Sequence, residues 1–363
     1  MKKVFLIFLI WFLAINVFAL LPIGAIHVSK HPITGNDNPL PQYVETPSWS
    51  LTRLHPHWDE YWYLSVVQRG YFDSQDALFS NAAFFPLYPM TISALDVFIH
   101  NPIITGVILS SLCLLLAVWM LYLLVKDFHP KIPPIKPIIY LLLFPTAFFL
   151  VSMYTESMFL FLSITCFYFL LKKNFWIAGI FGFLAALTRI TGVFLVIPFI
   201  WELYMAYKPK LWRKELLSVL GIPLAVIAYF TYLGVKFHNF FLFFKAQADW
   251  GRNFSFSHFS FLPSSTTSYP PLDMLCVVFG VVAGVYLIRK IRVSYGLYVL
   301  AVIAATIASG SLLSMERILL VLFPLYIALA HIKNKKITTT WLVASTLLLS
   351  VFTLLFVQGS WAG

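Results

Sequence analysis

Charge is scarce in this chain. Asp, Glu, Lys and Arg make up 11% of its 363 residues, and only 14 of them are acidic. A soluble domain carries about 25% charged and about 45–50% apolar residues. With 60% hydrophobic residues, the apolar surface exceeds what one soluble core can hide. Cysteine is nearly absent. Cys113, Cys166 and Cys276 each sit inside an apolar run with no CxxC or Cys/His spacing, so no disulfide framework is implied. No GxxxxGK(S/T) or GxGxxG loop occurs, which argues against an ATP- or GTP-driven machine. No internal repeat stands out, which argues against a transporter built from duplicated halves. The net charge of +11 comes from short basic clusters between apolar runs. That is the pattern of cytoplasmic membrane anchors, not of a nucleic-acid-binding face.

What the chain has in quantity is long apolar runs, and a bilayer span needs about 20 such residues. Segments near 4–26, 102–125, 137–153, 156–171, 175–188, 190–207, 215–235, 271–288, 294–311, 316–332 and 338–357 predict about eleven spans. The expected architecture is an all-α polytopic membrane protein with a single domain over residues 1–363. The first run, Val4 to about Ile26, follows Met1-Lys2-Lys3 and exceeds the about 7–15 residues of a signal-peptide core, so it is expected to stay as a span. The stretch Phe84–Ile99 contains Pro86, Pro89 and Asp96 and predicts an interfacial or re-entrant helix instead. Basic clusters at Lys2-Lys3, Lys126–Lys136, Lys172-Lys173, Lys208–Lys214, Arg289–Arg292 and Lys333–Lys336 then fall on one side. The positive-inside rule makes that side cytoplasmic, together with the N-terminus. Only Asp127, Glu202 and Glu215 among the acids share it. The chemistry is therefore expected outside, in the long segments near 27–101 and 236–270.

Five short clusters hold the candidate acids, cations and aromatic rings. His55-Pro56-His57-Trp58-Asp59-Glu60-Tyr61-Trp62-Tyr63 places two acids among aromatic side chains. Rings stack on sugars, and an adjacent carboxylate can accept a hydroxyl proton, as glycosyl transfer requires. The same composition also suits an interfacial aromatic belt with a solvated acid. Tyr154-Thr155-Glu156-Ser157 and Thr188-Arg189-Ile190-Thr191-Gly192 fall at outer turns, so Glu156 and Arg189 are expected to share a cavity. There Arg189 would clamp a phosphate with its planar fork, or the two would form a structural ion pair. Asp249 and Trp250 sit with Lys245 and Arg252 in the second outer segment, a further acid–indole–cation group. Glu316 and Arg317 are neighbours, so only one of them can face a shared site on a helix. His55, His57 and Asp59 alternate and offer a weak metal-binding pattern interrupted by Pro56. No cofactor is indicated.

In order along the chain, these pieces resemble the PIG-V type of glycosylphosphatidylinositol mannosyltransferase and its prokaryotic relatives, within the GT-C class. The matching stretches run from Trp58-Asp59 to Gly70-Tyr71, then Ala83-Phe84-Phe85-Pro86-Leu87-Tyr88-Pro89, then Pro145 through Ser157. They continue with Ala185 through Gly192, Gln247 to Trp250, Met315-Glu316-Arg317 with Phe323-Pro324, and Phe356 to Trp361. The resemblance implies a GT-C-like helix bundle whose first extracytoplasmic loop carries interfacial helices. It also implies transfer of mannose or another hexose from a polyprenyl-phosphate donor to a glycan, glycolipid or protein acceptor. The family's key acid falls on Asp59. Many GT-C enzymes carry two acids in this loop, whereas here the second is the adjacent Glu60. Tyr154, Glu156, Arg189 and Arg317 are then expected at the donor phosphate, and Trp58, Trp62, Tyr63, Asp249 and Trp250 at the sugar or acceptor. The short loops suggest a prokaryotic plasma membrane as the location. A lipid-linked sugar or polysaccharide flippase is the competing class.

Overall fold

The computed structural model describes residues 2–20, 57–73, 80–208, 214–249, 252 and 271–359. Among these, regular structure is entirely helical. The helices are α1 (Lys2–Ala19), α2 (Asp59–Arg69), α3 (Leu87–Ile99), α4 (Pro102–Phe128) and α5 (Ile135–Leu142). After them come α6 (Glu156–Leu171), α7 (Phe175–Thr188), α8 (Val196–Tyr207), α9 (Gly221–Phe237) and α10 (Leu242–Asp249). The chain closes with α11 (Pro271–Lys290), α12 (Val293–Ala308), α13 (Met315–Leu320), α14 (Pro324–His331) and α15 (Lys335–Val357).

Six helical stretches are long and apolar enough to cross a bilayer: Lys2–Ala19, Pro102–Phe128, Ile190–Tyr207, Lys214–Phe237, Pro271–Lys290 and Lys335–Val357. Shorter apolar helices accompany them. Large apolar side chains such as Phe5, Ile10, Leu275, Val282, Leu347 and Val351 are exposed on the periphery. Such a face on helices of bilayer length is the mark of an integral membrane protein.

At the centre stands α6, which is buried on nearly every side. It packs against α4 and α7. A helix that is apolar all round belongs in the interior, and FLFLSITCFYFLL supplies no polar stripe to expose. Around it, α7 packs on α9 and α11 on α12. Gly296 of α12 lies against the Gly284 carbonyl of α11, an approach that leaves no room for a Cβ.

Two expected spans are broken. The 137–153 segment is helical only to Leu142, because Pro145 removes a backbone donor and disfavours helix at Phe144. The chain then runs through a 3-10 turn, Ala147–Leu150, into Tyr154. The 316–332 segment is likewise split into α13 and α14 at Phe323-Pro324. Irregular backbone inside an apolar bundle survives only where protein groups satisfy it. Here Ser152 donates to the Phe148 carbonyl, Ser110 to that of Tyr154 and Ser157 to that of Leu150.

Polar contacts define the two ends of the bundle. At one end, Lys172 pairs with Asp127, His129 meets Tyr295, Tyr286 meets His331, and Lys136 donates to the carbonyls of Ala330 and Ile332. Glu202 of α8 takes Arg292 there in a two-point fork of 2.7 and 2.6 Å, and Ser294 closes the same carboxylate. At the other end α2, α10 and the Ser80–Pro86 stretch form a cap over α9. Asn81 binds Ser65, Gly70 and Phe72, Tyr229 donates to the Ala82 carbonyl, and Gln247 donates to that of Ala83. Phe85 packs tilted on Tyr229 and edge-on to Phe243, which gives this cap its own small apolar core. Of the Phe84–Ile99 stretch, Leu87–Ile99 forms α3, which leaves the cap and turns back through His100 into α4.

Candidate active site

Four charged side chains converge under the cap from four separate parts of the chain. Asp59 opens α2, Glu156 opens α6, Arg189 caps the end of α7, and Arg317 lies on α13. Arg317 is the hub. Its Nη1 donates to Asp59 Oδ2 at 2.7 Å, while Nη2 and Nε donate to Glu156 Oε1 at 2.9 and 3.2 Å. Its guanidinium carbon lies 4.7 Å from the ring centres of both Phe149 and Tyr154. Cation–π contact and two carboxylates together hold this buried charge in one orientation.

Arg189 completes the group differently. Its Nη1 donates to Glu156 Oε1 at 2.6 Å and to Thr155 Oγ1 at 3.0 Å. Its Nε and Nη2 have no partner among the described residues, and its side chain is 18% exposed. Of the five N–H donors of a guanidinium, one flat edge is therefore left open. Gly192 makes this placement possible. A Cβ there would fall 2.6 Å from the Ala185 carbonyl oxygen and the Ala186 Cα, so only glycine lets the turn after Arg189 fold back onto α7. Glu156 is also incompletely used. Oε1 takes all three arginine contacts, and Oε2 is buried with no partner. An unsatisfied buried carboxylate oxygen is a rare feature.

Asp59 has one oxygen on Arg317 and the other without a partner among the described residues, with its side chain 20% exposed. Its position is imposed by its neighbours. Trp58 adopts φ 51°, ψ −112°, a region unfavourable for any residue but glycine. Such strain costs about 1–3 kcal/mol and persists only where the surroundings enforce it. Tyr154 enforces it, accepting from the Asp59 N–H at 3.2 Å and donating to the His57 carbonyl at 3.0 Å. Glu60 is buried and grips two backbone N–H groups, those of His57 and Met153, each at 2.6 Å. It staples the start of α2 to the irregular segment before α6.

Chemically, the arrangement presents a partly open carboxylate and an open guanidinium edge at the two ends of one ion-pair chain, Asp59–Arg317–Glu156–Arg189. It is suited to accept a proton at Asp59 and hold an oxyanion at Arg189.

No family model matches the chain. Over 132 residues it is 35% identical to GPI mannosyltransferase 2 of Yarrowia lipolytica, a stretch that covers 36% of this chain and 37% of that protein.

The remaining residues singled out in the sequence are distributed more widely. Trp62 and Tyr63 are buried on the inner face of α2. Trp62 stacks on Phe84 at 6.0 Å, and Tyr63 reaches Thr155 Oγ1 at 3.3 Å. Trp58 is half-buried. Asp249 is exposed at the end of α10. Trp250 and His55 lie outside the described residues. The His57 ring packs edge-on to Phe356 at 5.0 Å. Among the described residues no group of three or more His, Cys, Asp or Glu side chains is arranged to hold a metal. Glu316 points away from the site, on the side of α13 where Asp273 of α11 accepts the Met315 N–H. Thr155 and Phe149 were not singled out for a role. Phe149 carries no local signal, because its contact with Arg317 spans the whole fold.

Proposed function

We propose that this chain is a membrane glycosyltransferase that moves a hexose, mannose being the preferred candidate, from a polyprenyl-phosphate donor to an acceptor hydroxyl. The observation that carries the reading is the chain of ion pairs Asp59–Arg317–Glu156–Arg189, which leaves one oxygen of Asp59 and one edge of Arg189 unengaged among the described residues. The likeness to a GPI mannosyltransferase supports the sugar and the reaction class.

In this reading Arg189 binds the donor phosphate and stabilises the charge that develops as the sugar–phosphate bond breaks. Asp59 accepts the acceptor hydroxyl proton as the new glycosidic bond forms. Arg317 orients Asp59 and Glu156 and is too fully engaged to bind substrate itself. Tyr154 supports Asp59 from behind, and Trp58 offers a ring edge to the sugar. Trp62 and Tyr63 shape the wall of the site. Asp249 and Trp250 belong to the segment on the acceptor side.

The threading into about eleven crossings, with the basic end cytoplasmic and the site outside, belongs to the same proposal. It follows from the positive-inside rule and from the chemistry, since a lipid carrier delivers activated sugar where nucleotide sugars are absent. The acceptor, whether glycolipid, glycan or protein, is reached from that side of a prokaryotic plasma membrane.

The test is transfer of labelled mannose from polyprenyl-phosphate-mannose to a membrane extract by purified protein. Transfer by wild type and its loss in Asp59→Asn are expected. Wild type that releases no sugar from this donor sinks the proposal.

A further inference from the structure

A third cation stands at the site, supplied by the second long segment. Arg252 follows α10, and its backbone N–H donates to the Gln247 carbonyl at 3.1 Å. Its Nη1 donates to the Gln247 side chain at 3.2 Å, and Gln247 in turn donates to the Ala83 carbonyl of the cap. Its Nη2 donates to the Leu313 carbonyl at 3.3 Å, in the lead-in to the helix that carries Arg317. These contacts pin the guanidinium between the cap and α13. There it feels the charges of Asp59, Arg317 and Arg189.

The partners of Arg252 are all neutral. No carboxylate among the described residues pairs with it, because Asp59 is engaged by Arg317 and Glu156 by Arg317 and Arg189. Glu60 is turned onto two backbone N–H groups, and Asp249 at the end of α10 is exposed and makes no ion pair with Arg252. Burial lowers the Arg252 pKa to about 10, so the group keeps its charge at neutral pH. A partly buried cation with no carboxylate partner among the described residues is poorly compensated. It becomes favourable when a ligand brings the missing negative charge. Two of the five N–H donors are spent on carbonyls, and the rest are available to oxygen acceptors.

We infer that Arg252 is a second anion-binding group, which grips the phosphate of a lipid-linked ligand together with Arg189 and so couples the second segment to occupation of the site. The inference rests on the phosphate-linked donor proposed above. It adds a residue from a different part of the chain, held by neutral contacts that a phosphate can replace. A phosphate on a polyprenyl chain and free inorganic phosphate present the same chemistry, and the two arms of the experiment separate them.

Purified full-length protein in lipid nanodiscs is titrated with polyprenyl monophosphate, and separately with inorganic phosphate. Arg252→Gln is expected to weaken lipid-phosphate binding about tenfold or more, with the melting temperature within about 2 °C of wild type. Arg252→Lys is expected to recover part of the affinity, because it restores the charge without the fork. The double variant with Arg189→Gln should lose less than the product of the two single losses, since both groups hold one phosphate. Inorganic phosphate competing at millimolar concentration, and more weakly in Arg252→Gln, identifies the headgroup as the contact. Competition unchanged by the variant overturns the assignment. So does lipid-phosphate affinity equal to wild type in Arg252→Gln or in Arg252→Lys. Wild type that binds the lipid phosphate yet transfers no sugar keeps Arg252 as an anion site and removes the transferase reading. Active wild type whose Arg252→Gln variant has unchanged donor affinity does the opposite.

Discussion

Glu156 and Glu202 are both buried carboxylates paired with arginine, at opposite ends of one helical bundle. At Glu202 both oxygens are used. Arg292 makes a two-point fork, and Ser294 fills the remaining position. At Glu156 three donors crowd onto one oxygen and the other has none, while Arg189 beside it keeps an open edge. Equal chemistry thus gives a closed brace at one end and an incomplete constellation at the other. A buried ion pair contributes to stability only when its lone pairs and protons are satisfied. The unsatisfied end is therefore where a ligand has something to gain by binding.

The largest expected effect separates the two ends outright. Asp59→Asn should lower sugar transfer at saturating donor by about 10²–10⁴-fold, the usual loss for a general base, with folded protein unchanged. Glu60→Gln should lose less rate and more stability, because an amide offers one carbonyl oxygen where two backbone N–H groups now bind carboxylate oxygens. A dead Glu60→Gln beside an active Asp59→Asn would move the base to Glu60.

Replacing each arginine by lysine sharpens the contrast. Arg189→Lys should raise the donor KM about tenfold, roughly 1.4 kcal/mol, because a point charge cannot replace the fork. Arg292→Lys should leave KM and kcat alone and lower the melting temperature. Equal kinetic effects from both would erase the distinction drawn here.

Gly192→Ala should fall between these cases. The added methyl meets backbone atoms of α7, so the turn must shift and carry Arg189 with it. Reduced donor affinity together with a lower melting temperature is expected, and a fully active, equally stable variant would show that the turn does not position Arg189. The smallest effect is expected at Asp249, which is exposed at the end of α10. Asp249→Asn should change transfer by less than about twofold, the range of ordinary surface substitutions. A larger loss would place Asp249 at the acceptor.

Much of this was legible from residue pattern alone, because hydropathy and charge act locally. The apolar runs at 102–125, 156–171 and 175–188 correspond to α4, α6 and α7. A shared cavity for Glu156 and Arg189 was expected because the threading puts both at turns on the same side, and the two side chains do meet. The broken segments were less legible. A window dense in Phe, Leu and Val around Pro145 reads as one span, although the proline stops α5 and the following backbone is satisfied by side chains from elsewhere. Glu60 was grouped with Asp59 because they are adjacent and chemically alike. Their separation into an open carboxylate and a backbone staple depends on Met153, 93 residues away. Arg317 and Glu316 face different neighbours because they sit side by side on a helix, but nothing local says which of them turns towards Asp59.

The hub formed by Arg317 also has a consequence for how the protein is made. Asp59 and its counter-charge are 258 residues apart in the chain. At a synthesis rate of about 5–20 residues per second, the acid emerges roughly 10–50 s before the arginine that holds it. Through that interval Asp59 can already meet Tyr154, but the cation that holds its carboxylate does not yet exist. Only when α13 arrives are the earlier parts locked, so a truncation before residue 317 should leave a product that quality control removes. A nascent chain stalled far enough beyond α14 for α13 to have left the ribosome should resist protease at the cap, and one stalled before α13 should not.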